Sequence, residues 1–175
     1  MRDDLIKEMK NIFGPDKRRI NHGLSVLKYT EQLHQVEGGN YSIVAAAAIL
    51  HDIGIHEAER KYNSAAGKYQ EIEGPPIARE ILKKSDIPSS DIEHICRIIA
   101  NHHSARDIDT IEFRIIWDAD WLVNIPEELP NAGPDKLRRI IDKTFKTSSG
   151  REMAMELFLN NCSVNNPQED SKVRS

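Results

Sequence analysis

Residues 43–54, IVAAAAILHDIG, decide the fold: an apolar run from Ile43 to Leu50 ends in the doublet His51 and Asp52, and Gly54 follows. Ser42 is the expected N-cap of a helix from Ile43 to Ile53, with Gly54 as its breaker. Alanines 45 to 48 allow neighbouring helices to approach closely, so this helix is expected at the centre of the molecule. A carboxylate beside buried apolar residues is costly unless it is paired or coordinated. Neutral imidazole and carboxylate are also side chains that together bind a divalent transition metal. The doublet alone provides two ligands, so its meaning depends on which others a helical fold carries to it.

Working outward, almost every ordered segment has helical period, and no stretch alternates with the β-branched and aromatic enrichment of strands. The expected class is all-α. Leu5, Ile6, Met9, Ile12 and Phe13 mark a short amphipathic helix stopped by Gly14 and Pro15. Asp16 opens a second from Lys17 to about Gln35, with Ile20, Leu24, Leu27 and Leu33 as its buried stripe and Gly38 to Asn40 as its end. The polar stretch from Ile55 to Gly74 is expected to form short, mobile helical turns near the site. Pro75 and Pro76 suit the first turn of a helix running to about Ser85. Further helices are expected over Asp91 to His103, over roughly Thr110 to Asn124 with Pro126 beyond, from Pro134, and after Ser148. The polar tail after Asn160 buries too little apolar surface to order itself.

The chain has 175 residues and a net charge of -4, with a pI near 6.0. That length fits one domain of ordinary size, and the charge offers no overall basic field for long nucleic acid or an anionic membrane. A small partner is easier to support. Cys96 and Cys162 form neither metal-ligand spacing nor a disulfide framework, which suits a reducing cytoplasm. No apolar run reaches membrane-spanning length and the N-terminus lacks a signal-type apolar segment, so a soluble cytoplasmic protein is expected.

Three helices carry candidate ligands: His22 on one, His51 and Asp52 at the end of a second, Asp118 and Asp120 on a third. Neighbouring helical residues point about 100° apart, so His51 and Asp52 share an ion only near a helix end. Asp118 and Asp120 differ by about 200°, so one of them faces the site. Phe113, Trp117 and Asp120 form one helical row and Ile111, Ile115, Asp118 and Leu122 another, and the two are equally apolar. Periodicity does not choose between them.

Together, His22, the doublet in AAILHDIGI and Asp120 in WDADWLVNI resemble the H…HD…D signature of the HD-domain superfamily, largely metal-dependent phosphohydrolases. In that family the closing aspartate follows a small residue and precedes an x-Leu pair, as Ala119, Asp120, Trp121 and Leu122 do here. The resemblance makes Asp120 the fourth ligand. It covers about residues 16–124, the motif-bearing core of an HD-type all-helical domain expected over residues 1–165, and the polar composition of 166–175 predicts a disordered tail. The implied activity is phosphohydrolysis of a nucleotide or other small phosphate ester through a metal-bound water. His22, His51, Asp52 and Asp120 would hold the ion, and their mixed character suits Mn, Fe, Co, Ni or Zn. A homo-oligomer is compatible with all of this.

Some superfamily members use further histidines for a second metal, one before an alanine-rich helix and one ending the next. His102 or His103, after ICRIIAN, takes the latter place, whereas the former holds Glu73, a departure that bears on a dinuclear site. Glu73 and His102 join Asp52 as catalytic candidates, with Glu73 as a second-ion ligand, a general acid or base, or a residue that simply stops a loop from folding inward. Arg18, His56, Lys61 and His103 are the candidates for contacting substrate. Two alternatives accompany this reading: a dinuclear-iron oxygenase built on the same fold, and a catalytically silent nucleotide or phosphate sensor. Trp117 and Trp121 are expected in the core rather than stacked on a base.

Overall fold

The computed structural model describes residues 1–160, and among them every regular element is helical. Helix α1 covers Arg2–Phe13, α2 Lys17–Glu37, α3 Tyr41–Leu50, α4 Ile55–Tyr62 and α5 Gly67–Leu82. They are followed by α6 Ser89–Ile99, α7 Ile111–Glu128, α8 Pro134–Thr144 and α9 Ser148–Met155, which runs into a π-helical turn at Glu156–Asn160. The expected all-α architecture is what the chain adopts. The tail predicted at 166–175 and Cys162 lie outside the described residues. No helix is long and apolar enough to cross a membrane among the described residues.

Helix α3 is the hub. Every residue from Ile43 to Leu50 is buried, and the helix touches α1, α2, α6 and α7. Its cap is Asn40 rather than Ser42: Asn40 Oδ1 accepts the Ser42 N–H at 2.9 Å, and Asn40 N–H donates to Glu112 Oε1 at 3.0 Å. The helix also stops sooner than its apolar pattern suggests. After Leu50 the chain makes two tight turns, Ile53 N–H to Leu50 O and Ile55 N–H to Asp52 O, and the doublet sits at the start of that tightening.

The prolines depart most from expectation. Pro75 and Pro76 lie inside α5, which starts at Gly67 and turns much of the predicted polar stretch into regular helix. A helix tolerates this pair for two reasons. Gly74 has no Cβ to clash with the following proline ring. The Glu71 and Ile72 carbonyls, which lose their N–H partners to proline, lie on a face where Ile72 and Pro76 are exposed to water. Pro126 likewise sits within the last turn of α7, which continues to Glu128 instead of ending near Asn124.

Two contacts position the site from outside it. Gly54, the N-cap of α4, crosses the backbone of Gly74 so closely that a Cβ at Gly54 would stand 2.5 Å from Gly74 N. On the other flank, Asp118 is fully buried and accepts the Lys146 N–H at 2.7 Å, the Thr147 N–H at 2.8 Å and the Thr147 hydroxyl at 2.7 Å. The segment between α8 and α9 is thereby tied to α7, and Asp120 is left to face the other way.

Candidate metal centre

At the ends of α3 and α6 the same local device recurs. A helix end leaves its last carbonyls without intrahelical donors. His51 Nδ1 meets Ala48 O at 2.8 Å, and His102 Nδ1 meets Ile99 O at 2.6 Å. A carbonyl only accepts, so each Nδ1 carries the proton and each Nε2 presents a lone pair. Both rings are almost wholly buried.

Around His51 Nε2 the other groups converge. His22 Nε2 lies 3.2 Å from it, Asp52 Oδ2 3.5 Å and Asp120 Oδ1 3.7 Å. His22 Nε2 is itself 3.1 Å from Asp120 Oδ1 and 3.5 Å from Asp52 Oδ2. Ligand bonds of about 2.1 Å give ligand-to-ligand spacings of about 3.0–3.4 Å at octahedral or tetrahedral angles, within a few tenths of an ångström of these distances. Asp120 Oδ1 and His102 Nε2 are shut off from solvent with no sound hydrogen-bond donor. Buried lone pairs without donors are costly, and a cation removes that cost. The residues therefore fit a divalent ion, and the donor set of imidazole and carboxylate is of the right kind.

Asp52 connects this cluster to a second one. Its Oδ1 lies 3.5 Å from His102 Nε2, and Asp52, His102 and His103 each offer a ligand atom within 4.8 Å of the others. Burial alone would raise the Asp52 pKa, but His51, His102 and His22 outweigh it and hold the carboxyl far below the usual range. Burial also opposes ionisation of Asp120, which the neighbouring His22 and His51 imidazoles override to lower its pKa. Burial lowers His51. His103 is pushed down to about 4 by burial and the neighbouring His102.

Above these groups opens a cleft of about 240 Å³, with Arg18, His103 and Asp120 in its wall. Arg18 reaches the cleft while paired with Glu127 at 2.9 Å. His22, His51, Asp52, Asp120, His102 and His103 are thus brought together, and Arg18 stands at the mouth. Glu73, Lys61 and His56 are not. Glu73 is buried against Lys61 Nζ at 2.7 Å and the Tyr62 hydroxyl at 2.9 Å, and Glu73 and Lys61 line a separate groove between α1, α4 and α5. His56 sits 3.6 Å from Asp16 and makes a T-shaped ring contact with Phe13. The cause is the early start of α5, which turns Gln70 rather than Glu73 toward the cleft. Arg19, beside Arg18 and one turn before His22, shares the cleft wall, and sequence reasoning missed Asn124, Glu127 and Glu128 there. Extending α7 through Pro126 was the only signal available for the last two.

A family model for the HD domain matches residues 19–125, more than half of the chain. The chain belongs to the HD domain family. Its fold is similar to the crystal structure of a predicted HD superfamily hydrolase from an uncultured Thermotogales bacterium, with a TM-score of 0.69 and 20% identity over 92% of this chain and 87% of that one. It is also similar to an HD-superfamily hydrolase from Bacillus thuringiensis, with a TM-score of 0.62 and 22% identity over 93% of this chain and 94% of that one. No curated protein sequence matches it significantly.

Proposed function

We propose that this chain is a metal-dependent phosphohydrolase acting on a small phosphate ester. The observation that carries the reading is the convergence of His22, His51, Asp52 and Asp120 beneath a cleft whose mouth bears Arg18. These four side chains would hold the ion. A bound divalent ion supplies charge neutralisation at a phosphoryl oxygen and lowers the pKa of a water molecule.

The chain's own groups do the rest. Arg18, released from Glu127, offers a guanidinium fork to the phosphate. Arg19, tied to Asp16 and Glu59, holds positive charge in the same wall. His102 accepts a proton at Nε2, because its Nδ1–H is committed to Ile99 O, and Asp52 Oδ1 stabilises the resulting cation. His103, neutral at physiological pH, offers a hydrogen bond without adding charge. The net change is addition of water across a P–O ester bond, yielding an alcohol and a phosphate.

Elemental analysis of the purified chain, followed by a phosphomonoester and phosphodiester panel with Mn, Co, Ni, Zn and Mg, tests this. Bound transition metal and metal-dependent turnover are expected. If His51→Ala and Asp52→Ala leave both metal content and activity unchanged, the reading fails. The division of Asp52's oxygens between two histidine groups favours a second possibility, a dinuclear iron oxygenase. Iron near two per chain, oxygen consumption and no phosphoester turnover would identify it.

A further inference from the structure

Gly67 and Glu71 stand one above the other on α5, one helical turn apart, and both meet the turn that follows α6. A Cβ on Gly67 would stand 2.6 Å from the His103 ring. The bare glycine thus lets that ring lie against α5, where it also packs on His102 with ring centres 4.0 Å apart. One turn further along, Glu71 Oε1 accepts the His103 N–H at 3.0 Å and the Ser104 N–H at 2.8 Å.

The destination of these two N–H groups matters for His102. In a continuing α-helix the His103 N–H would donate to Ile99 O and the Ser104 N–H to Ala100 O, four residues back. Ile99 O is instead the acceptor that His102 Nδ1 meets at 2.6 Å. By drawing both amides outward, the Glu71 carboxylate leaves Ile99 O to the His102 ring. With the proton held on Nδ1, Nε2 keeps its lone pair 3.5 Å from Asp52 Oδ1. The turn closes further on, with Ala105 N–H to Asn101 O at 2.8 Å and Asp107 N–H to Asn101 Oδ1 at 3.3 Å. The amides held by Glu71 are therefore those lying between His102 and that closure. The helix dipole does not account for a carboxylate here, because the C-terminal end of a helix favours cations.

We infer that Glu71 is a positioning residue for His102: by accepting the His103 and Ser104 amides, its carboxylate fixes the ring with the proton on Nδ1 and with Nε2 toward Asp52. The phosphohydrolase reading enters only in what the ring does during turnover. What counts is the reach of an acceptor oxygen rather than its charge. Glu71→Gln should therefore preserve the arrangement, whereas Glu71→Ala, and Glu71→Asp with a side chain one methylene shorter, should lose it.

The test isotope-labels the histidine ring nitrogens of the full chain, loaded with one equivalent of Zn, and reads by long-range NMR correlation which nitrogen of His102 holds the proton. Separately, it reads kcat and KM with para-nitrophenyl phosphate and bis(para-nitrophenyl) phosphate. In the parent chain and in Glu71→Gln the proton should lie on Nδ1. In Glu71→Ala and Glu71→Asp it should move to Nε2 or average between the two nitrogens. In those two variants kcat should fall about 10- to 100-fold, the scale of a misplaced catalytic group, with KM and bound metal little changed. Glu71→Gln should stay within about 3-fold of the parent. Should Glu71→Ala not fold, Glu71→Asp decides alone, and amide exchange needs no variant, because His103 and Ser104 should be protected in the parent chain. The inference is overturned by a parent His102 protonated on Nε2, by fast exchange of both amides, by an unchanged ring or kcat in the shortened variants, or by Glu71→Gln failing together with them. A displaced ring in a protein that turns over neither ester would sink the hydrolase reading and leave the positioning role standing.

Discussion

Asp52 is the residue on which the two histidine clusters depend, because its oxygens face His22 and His51 on one side and His102 on the other. Replacing it by alanine should therefore empty the centre, whereas His102→Ala should spare it. For His102→Ala we expect the first ion to be retained in elemental analysis while kcat falls by about 10²–10⁴, the range for a lost general base. Glu73 makes a different prediction. Its hydrogen bonds from Lys61 and Tyr62 lower its pKa below the ordinary 4.5. A depressed carboxylate contributes stability that is present above the unfolded pKa and lost as pH falls through the folded one. Thermal melts of the parent chain should thus lose stability as pH drops below 4.5, and Glu73→Gln should flatten that part of the profile without changing metal content at neutral pH. At this scale the doublet was legible because a charge ending an apolar run demands an explanation. Gln70 was not, because an uncharged polar residue in a polar segment carries no such demand.

Elements, rather than residues, aim the candidate ligands. The Asp118 latch between α7 and the segment before α9 satisfies three donors at once, the two of Thr147 being buried. Asp118→Ala should cost about 2–4 kcal/mol, read as a fall in Tm, since buried donors left unpaired cost about 1–3 kcal/mol each. Its metal content well below the melting temperature should be unaffected, because Asp118 faces away from the ligands. The crossing of Gly54 and Gly74 behaves differently. Gly54→Ala would force its Cβ into the Gly74 backbone, which has no flexible end to yield. Separating α4 from α5 displaces the turn that carries Asp52, so this variant should lose both stability and metal retention. Helical period placed the candidate ligands on α2, α3 and α7. It failed at the prolines, since whether α5 passes through Pro75 and Pro76 depends on which carbonyls face water and on a neighbouring glycine.

Across the whole molecule the four proposed ligands come from α2, the end of α3 and α7, so an ion there joins segments far apart in the chain. Anything bound only by the folded state stabilises it by mass action, about 2.7 kcal/mol at a free concentration 100 times Kd. Saturating Mn or Co should accordingly raise Tm, a chelator should reverse the gain, and His51→Ala should abolish it. Helical class, the central position of α3 and the polar doublet at its end were determined by the sequence alone, because apolar period and the cost of buried charge are local properties. The choice of Asp120 over Asp118 was different: both lie on equally apolar rows, and family resemblance named one before any contact was visible. Only tertiary structure decided which donors claim Asp118, how the helix-end carbonyls orient His51 and His102, and that Gln70 rather than Glu73 faces the cleft. Each of these depends on which groups from distant segments meet, and linear spacing does not carry that information.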